Sequence, residues 1–150
     1  MNTKINVVKL DSAKNLDLPF YATENSAGVD LVASIENKII IKPHQRALIS
    51  TGICIELPNG FEATVRPRSG IAAKNGVTVL NTPGTIDSDY RGEIKVILIN
   101  LGEEDFVVER GMRIAQMIFS RYEKVSFNEV MNFDSTTTRG EGGFGSTGIK

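Results

Sequence analysis

The sequence is poor in the residues that build disulfides and zinc sites. It contains one cysteine, Cys54, and one histidine, His44. A single cysteine cannot close a disulfide within the chain, and one cysteine with one histidine is too few for a Cys/His zinc site. These counts exclude both kinds of site, and they favour a reducing compartment such as the cytoplasm without requiring it.

The chain also lacks an excess of charge and a long apolar run. Seventeen Lys and Arg stand against eighteen Asp and Glu, a net charge of -1, so no general basic field is available to hold a nucleic-acid backbone. No apolar run approaches the ~18 residues of a membrane span, and the first residues lack the apolar centre of a signal peptide. We therefore expect a cytoplasmic protein that has neither nucleic acid nor a membrane as a partner.

What is present is typical of one globular β domain. The chain has 150 residues, of which 41% are hydrophobic and 23% charged, enough for a single packed core. Apolar and polar residues alternate in many short segments separated by glycine and proline. This pattern predicts an all-β protein, an antiparallel sandwich or barrel. Strands are predicted at 5–10, 38–42, 47–57, 61–66, 77–80, 93–100, 106–108 and 112–119.

Three local features refine this prediction. The turn sequence Pro58-Asn59-Gly60 between two alternating runs predicts a hairpin. Residues 109–124 could form a helix, but their alternation and Gly111 favour a strand. One short helix is predicted at 69–76, with Ser69 as its N-cap and Asn75-Gly76 as its end.

The composition changes abruptly at Asp134, where a run of serine and threonine is followed by five glycines. Such a segment is not expected to be ordered by itself. We therefore expect a β domain over residues 1–134 and a flexible glycine-rich arm over residues 135–150.

Two segments carry residues suited to an anion and to acid–base chemistry. Arg66-Pro67-Arg68-Ser69-Gly70 places two guanidiniums and a hydroxyl beside the predicted helix start, which favours an anion site; solvated arginines at a strand end are the alternative. Residues 85–93 include Asp87, Asp89, Tyr90 and Arg91, more functional groups than a turn needs. A carboxylate there could activate a water or hold Mg²⁺, or the segment could be an acidic surface turn.

The arm contains Gly-x-Gly-x-x-Gly twice, at 140–145 and 143–148. In a Rossmann domain this motif opens a helix, and the residues that follow it in the sequence are too few for one. Neither match therefore indicates a Rossmann domain. A glycine-rich strip that carries Arg139, Phe144, Ser146 and Thr147 could close over a nucleotide, or it could be an idle terminus.

Taken in order, five segments resemble the motifs of the trimeric deoxyuridine triphosphatases. They are Ala27-Gly28-Val29-Asp30-Leu31; Pro67-Arg68-Ser69-Gly70-Ile71-Ala72; Gly84-Thr85-Ile86-Asp87-Ser88-Asp89-Tyr90-Arg91-Gly92; Glu109-Arg110-Gly111-Met112-Arg113-Ile114-Ala115-Gln116-Met117; and Arg139-Gly140-Glu141-Gly142-Gly143-Phe144-Gly145-Ser146-Thr147-Gly148. Five motifs over most of the chain are far more specific than one.

The resemblance implies an antiparallel β jelly-roll that forms a homotrimer. Each active site of that family lies between subunits and is closed by the arm of a neighbouring chain. The implied reaction is Mg²⁺-assisted hydrolysis of dUTP to dUMP and pyrophosphate, by attack of water at the α-phosphorus. This activity keeps uracil out of DNA and supplies dUMP for thymidylate synthesis.

The resemblance also assigns roles to individual residues. Asp87 is implied as the base that activates the water, Asp30 as support for the metal–phosphate arrangement through water, and Mg²⁺ as held mainly by the substrate phosphates. The other implied contacts are Arg68, Ser69 and Gly70 to phosphates, Gln116 to the α-phosphate or attacking water, Arg139 to the γ-phosphate, Asn81 to uracil, Tyr90 to the sugar, Phe144 to the base, and Gly145 and Ser146 to the substrate.

Two other functions share parts of this pattern. A dCTP deaminase has the same fold and similar first motifs, but the fifth motif argues against it. A non-catalytic nucleotide-binding or capsid-like jelly-roll would need neither Asp87 nor the arm.

Overall fold

The computed structural model describes residues 3–143, which form eleven β-strands, one 3-10 turn and one α-helix. The strands are β1 (Asn6–Lys9), β2 (Val29–Val32), β3 (Ile39–Ile41), β4 (Arg46–Ser50), β5 (Ile53–Glu56), β6 (Phe61–Arg66), β7 (Val77–Val79), β8 (Gly84–Ile86), β9 (Lys95–Asn100), β10 (Phe106–Val108) and β11 (Arg113–Arg121). The 3-10 turn is Asp11–Ala13, and the helix α1 is Ser69–Asn75. The predicted all-β class with one short helix is confirmed.

Within this part of the chain the strands form four antiparallel sheets. Their orders are β1-β5, β10-β3, β2-β11-β6-β8 and β4-β9-β7. The last two sheets share one hydrophobic core, since Leu31 and Val65 belong to the same buried cluster as Ile49 and Leu98. Open sheets that pack their inner faces together correspond to the sandwich of the prediction rather than to its closed barrel.

The predicted hairpin around Pro58-Asn59-Gly60 is wrong. Strand β5 pairs with β1, whereas β6 pairs with β11 and β8. The run 47–57 is also two strands rather than one, because the chain turns at Gly52, whose φ is 67°. A Cβ on Gly52 would lie 2.6 Å from Ser34 Oγ, so a side chain there would be both strained and crowded. The turn directs β4 and β5 into different sheets.

The helix prediction is correct in its extent and wrong in its cap. Helix α1 ends at Gly76, which has a φ of 68°. The N-cap position is Arg68, not Ser69, and no side chain caps the helix. Ser69 is the first helical residue because the extended backbone ends at Arg68.

Strand β11 organises the four-stranded sheet. It lies between β2 and β6, so the strand alternative for residues 109–124 is confirmed. Gln116 is opposite Asp30 on one side and Arg66 on the other. Strands β2 and β8, which the alternation did not predict, carry or border the first and third motifs.

Candidate active site

A carboxylate held between two guanidiniums lies where β2 and β11 meet. Asp30 Oδ1 is 3.0 Å from Arg68 Nε, and Asp30 Oδ2 accepts a hydrogen bond from Arg113 Nη1 at 3.0 Å. Arg68 Nη1 also donates to the Arg113 carbonyl oxygen at 3.2 Å. We call these three residues the Asp30 cluster. Two positive charges against one negative charge leave a net positive charge, which suits an anionic ligand.

Burial decides which charge of the Asp30 cluster a ligand would meet. The Asp30 side chain is only 11% exposed, whereas those of Arg68 and Arg113 are 28% and 48% exposed. The carboxylate is therefore nearly covered while both guanidiniums remain partly accessible. Arg113 was not singled out from the sequence, although it lies inside the quoted fourth motif.

Gln116 lies beside the Asp30 cluster because its strand position is opposite Asp30. Its Nε2 donates to the Pro67 carbonyl oxygen at 3.0 Å, next to Arg68 in the chain. A Cβ on Gly28 would lie 2.7 Å from Gln116 Oε1, so the glycine of the first motif leaves room for this amide. The structure thus brings the first, second and fourth motifs to one place.

Ser69 and Gly70 follow Arg68 at the start of α1, and both are exposed. A Cβ on Gly70 would meet no atom within 4 Å, so open space faces this backbone. The two residues adjoin the Asp30 cluster and stay accessible to a ligand bound there.

Asn81, Asp87 and Tyr90 line a cavity of about 510 Å³ at the edge formed by β8. We call it the edge cavity. Its apolar wall includes Val79, Ile86 and Ile94; Leu48, Val65, Gly84, Thr85, Glu93 and Lys95 also line it. A cavity that combines an apolar wall with convergent polar groups is typical of a small-molecule site.

Two glycines allow the polar residues of the edge cavity to pack closely. A Cβ on Gly84 would lie 3.0 Å from Asn81 Nδ2, and one on Gly92 would lie 2.6 Å from Tyr90 Cζ. The Tyr90 hydroxyl donates to the Glu93 carbonyl oxygen at 3.0 Å. The absence of side chains at Gly84 and Gly92 therefore lets Asn81 and the Tyr90 ring occupy these positions.

The segment 87–92, which we call the Asp87 turn, is held by its own hydrogen bonds. The Tyr90 amide donates to the Asp87 carbonyl oxygen at 3.2 Å. Arg91 Nη1 donates to the carbonyl oxygens of Ser88 at 2.7 Å and Tyr90 at 3.0 Å. Asp87 itself is exposed at the rim of the cavity, so its carboxylate is free to reach a water or ligand.

Arg91 is in turn paired with Glu56 on β5, with 3.3 Å between Arg91 Nη2 and Glu56 Oε1. A hydrogen bond from Asn6 Nδ2 to Glu56 Oε2 at 2.7 Å and then the positive charge of Arg91 lower the pKa of the Glu56 carboxyl below its ordinary value. Sequence reasoning missed this pair. Arg91 lies in the third motif, but no sequence pattern marks Glu56.

One copy of the chain does not join the Asp30 cluster to the edge cavity. Asp30 and Gln116 alternate with buried neighbours and so project from the outer face of the four-stranded sheet. Asp30 and Arg113 line a separate cavity of about 270 Å³, which shares no lining residue with the edge cavity. The predicted site residues described above therefore fall into two groups that lie at different cavities of one copy.

The arm is described only up to Gly143. Arg139 Nε donates to the Gly142 carbonyl oxygen at 2.9 Å, a bond within the arm itself. Phe144, Gly145 and Ser146 lie outside the described residues. The predicted arm contacts are therefore not assembled with either group in the described part of the chain.

Within residues 3–143, no group of three or more His, Cys, Asp or Glu side chains could hold a metal ion. Asp30 has one guanidinium on each oxygen, which still leaves acceptor capacity on both, since a carboxylate has about four lone-pair sites. The carboxylate fits a contact to a metal-bound water better than direct ligation.

Over the same residues, neither helical segment has the length and apolar character needed to cross a membrane.

Comparison with known proteins agrees with the motifs. The dUTPase family model matches residues 14–148. A deoxyuridine 5'-triphosphate nucleotidohydrolase of Rickettsia bellii strain OSU 85-389 is 60% identical over 147 residues, which cover 98% of this chain and 97% of the relative.

Solved structures show the same fold at lower identity. The dUTPase of Staphylococcus bacteriophage 80alpha with dUPNHPP has a TM-score of 0.89 and 24% identity, over 99% of this chain and 100% of that one. A variant dUTPase from phage phi11 of S. aureus, described with a structural Mg(II) ion, has a TM-score of 0.79 and 18% identity, over 89% and 100%. Motifs, fold and matched length lead to one conclusion, that the chain belongs to the dUTPase family.

Proposed function

We propose that the chain is a dUTP diphosphatase that hydrolyses dUTP to dUMP and pyrophosphate. The observation that carries the proposal is the edge cavity, where Asn81, Asp87 and Tyr90 converge on a space of about 510 Å³. These are the residues for which the family resemblance implies contacts to uracil, to the attacking water and to the deoxyribose. The Asp30 cluster supports it with a separate set of cationic groups.

Base and sugar selection follow from the walls of the cavity. Asn81 has an amide that can both donate and accept, as the edge of uracil requires. Tyr90 presents a ring fixed by its bond to the Glu93 carbonyl and by close contact with Gly92. A ring in that position excludes a ribose 2'-hydroxyl or leaves it without a partner.

The Asp87 carboxylate is proposed as the general base. It accepts a proton from a water whose oxygen forms a new bond to the α-phosphorus. The bond from the α-phosphorus to the bridging oxygen breaks, and pyrophosphate leaves with that oxygen. Asp87 is exposed at the cavity rim, where a water can be held within hydrogen-bond reach.

Phosphate binding is proposed for the residues around the Asp30 cluster. Arg68 offers a guanidinium oriented by Asp30, while Ser69 and the open backbone at Gly70 adjoin it. Gln116 is proposed to contact the α-phosphate or the attacking water. Mg²⁺ bound to the triphosphate would neutralise charge during the transfer, with Asp30 in contact through water.

A complete site is proposed to need more than one copy of the chain. The edge cavity and the Asp30 cluster are not joined within one copy, so a second copy would have to bring one to the other. In a homotrimer, each of three equivalent interfaces would form such a site.

Exposed apolar side chains support self-association. After β11 the segment 122–133 carries Phe127, Met131 and Phe133 at 99%, 100% and 89% exposure. Large apolar side chains that are this exposed within one short segment indicate a contact with another protein chain. Sedimentation equilibrium should give the mass of a trimer, and an active monomer would contradict a shared site.

The arm is proposed to complete the site of a neighbouring copy. We assign residues 1–134 to the catalytic domain and residues 135–150 to the arm, in which Arg139 would reach the γ-phosphate. Phe144 would stack on the base, and Gly145 and Ser146 would add contacts to the substrate. Closure excludes water and adds positive charge around the phosphates.

The proposed role of the reaction is to keep uracil out of DNA and to supply dUMP for thymidylate synthesis. We propose a cytoplasmic location and a partner set limited to dUTP and other copies of the chain, without nucleic acid or a membrane.

One assay tests the proposal against its two alternatives. The protein is incubated with Mg²⁺ and either dUTP or dCTP, and dUMP, pyrophosphate and ammonia are measured, with Asp87→Asn as the control. Release of dUMP and pyrophosphate from dUTP by the unmodified protein alone supports the diphosphatase. Ammonia from dCTP would indicate a deaminase, and no product from either nucleotide would indicate a binding module.

A further inference from the structure

The Asp87 turn is attached to the strand β5 through one side chain. Arg91 donates to two carbonyl oxygens of the turn, those of Ser88 and Tyr90, and pairs with Glu56 Oε1 at 3.3 Å. Glu56 is the last residue of β5, and its other oxygen accepts from Asn6 on the paired strand β1. A continuous set of polar contacts therefore joins the turn to two hydrogen-bonded strands.

We propose that Glu56 is a positioning residue, which acts through Arg91 to hold the Asp87 turn in the shape that catalysis needs. The proposal rests on the function proposed above, with Asp87 as the base. Glu56 lies outside all five motifs and does not line the edge cavity. Its effect on the reaction is therefore indirect.

The need for Glu56 follows from the geometry of Arg91. A half-exposed arginine has many accessible rotamers, and its side chain here is 53% exposed. Both bonds to the turn come from Nη1, whereas Nη2 is the atom that meets Glu56. The carboxylate thus restricts the guanidinium to the orientation in which Nη1 reaches both carbonyls.

A second attachment holds the chain just after the Asp87 turn. The middle of the turn therefore depends on Arg91. Glu93 Oε1 accepts a hydrogen bond from the Gly52 amide at 3.0 Å, which fixes the chain just after the turn. Between Asp87 and Glu93, the polar side-chain anchor to another strand is the pair of Arg91 with Glu56. Loss of that pair should loosen the segment that carries both Asp87 and Tyr90.

Small displacements of a base matter for the rate. An error of about 1 Å in the position of a catalytic group can cost on the order of 100-fold in turnover. An exposed ion pair restrains its partners only modestly, so removal of Glu56 should lower kcat by a smaller factor, about threefold. Removal of Arg91 should lower kcat by more than about tenfold, because both hydrogen bonds to the carbonyl oxygens are lost with it.

The test compares Glu56→Gln, Glu56→Ala, Arg91→Ala and the double variant Glu56→Ala/Arg91→Ala. Asn6→Ala removes the other bond of Glu56 but keeps its pair with Arg91, and Asp11→Ala removes an unrelated exposed ion pair with Lys14. Each protein is measured for kcat and KM with dUTP. Amide hydrogen exchange of residues 88–92 is measured without nucleotide.

The proposal expects faster exchange of residues 88–92 and lower kcat in Glu56→Ala, with a smaller change in Glu56→Gln, which keeps an acceptor. The double variant should be no slower than Arg91→Ala, because Glu56 acts only through Arg91. Asn6→Ala, which keeps the pair of Glu56 with Arg91, should change both measurements less than Glu56→Ala does, and Asp11→Ala should match the unmodified protein.

Two results would overturn the proposal. One is unchanged kcat and unchanged exchange in Glu56→Ala; the other is an additive effect of the two substitutions. If the unmodified protein failed to hydrolyse dUTP, the proposed function would fall, but the exchange measurements would still decide whether Glu56 holds the turn.

Discussion

Asp30 accepts contacts from Arg68 at 3.0 Å while its own side chain is almost covered, at 11% exposure. With Arg113 on the other oxygen, the carboxylate sets the direction of two guanidiniums. The residue that the family resemblance implies as support for a metal thus also orients two arginine side chains.

Asp30→Asn should therefore weaken both substrate binding and the fold. The amide removes the negative charge and leaves two partly buried guanidiniums without a counter-charge, which costs about 1–3 kcal/mol of unfolding free energy. We expect a higher KM for dUTP, measured by steady-state kinetics, and a lower midpoint in urea. Asp11 pairs with Lys14, and its side chain is 93% exposed. Asp11→Asn should therefore change the free energy of unfolding by less than about 0.5 kcal/mol. Equal effects of the two substitutions would contradict this role of Asp30.

Asp87→Asn should separate binding from turnover. The amide keeps the shape of the side chain but cannot accept the proton of the attacking water, so kcat should fall by about 100-fold or more. Thermal unfolding and the affinity for a non-hydrolysable dUTP analogue should stay close to those of the unmodified protein. Near-normal turnover would remove Asp87 from the mechanism.

Tyr90 should control discrimination between deoxyribose and ribose. Tyr90→Leu removes the ring, so kcat/KM for UTP should rise relative to that for dUTP, by about tenfold. Tyr90→Phe is the matched control, because it keeps the ring and loses only the hydrogen bond to the Glu93 carbonyl. If Leu and Phe gave the same dUTP-to-UTP ratio as Tyr, the discrimination would lie elsewhere.

Removal of residues 139–150 should abolish most activity while the β domain stays folded. Residues 139–141 and 143 are exposed, and Arg139 bonds within the arm, so the described part of the deleted segment contributes no packing to the core. We expect an unchanged thermal midpoint and a fall in kcat/KM of about 100-fold or more, because closure and positive charge are lost. Mixed assembly with Asp87→Asn chains should recover activity if arms act across subunits. Full activity of the shortened chain would mean that the arm is idle.

The stability contributed by Glu56 should depend on pH in a defined direction. The contacts of Asn6 and Arg91 lower the pKa of Glu56 in the folded protein below its ordinary 4.5. Folding is then linked to loss of the proton, so the contribution is complete above about pH 6 and disappears as pH falls through the lowered pKa. Urea unfolding should show the unmodified protein as more stable than Glu56→Gln at neutral pH and equal to it in acid. A difference that stays constant across this range would contradict the linkage.

Local patterns in the sequence predicted most of the strands and the end of α1 at Gly76, but they missed β2 and β8. Alternation marked most strands because one face of each is buried, and Gly76 marked the helix end because it adopts a left-handed conformation. The same patterns failed at 47–57 and at the expected hairpin. Pairing partners there are decided by contacts with β1, β8 and β11, which are distant in the sequence.

The sequence by itself determined the family and the residues that carry its motifs, because those depend on residue type and order. Only the tertiary structure decided that Asp30 is held by Arg68 and Arg113, and that Glu56 meets Arg91. It also decided that the two groups of motif residues lie at different cavities. Strand pairing and side-chain direction set these relationships, and both arise from packing between segments far apart in the chain, which no local pattern encodes.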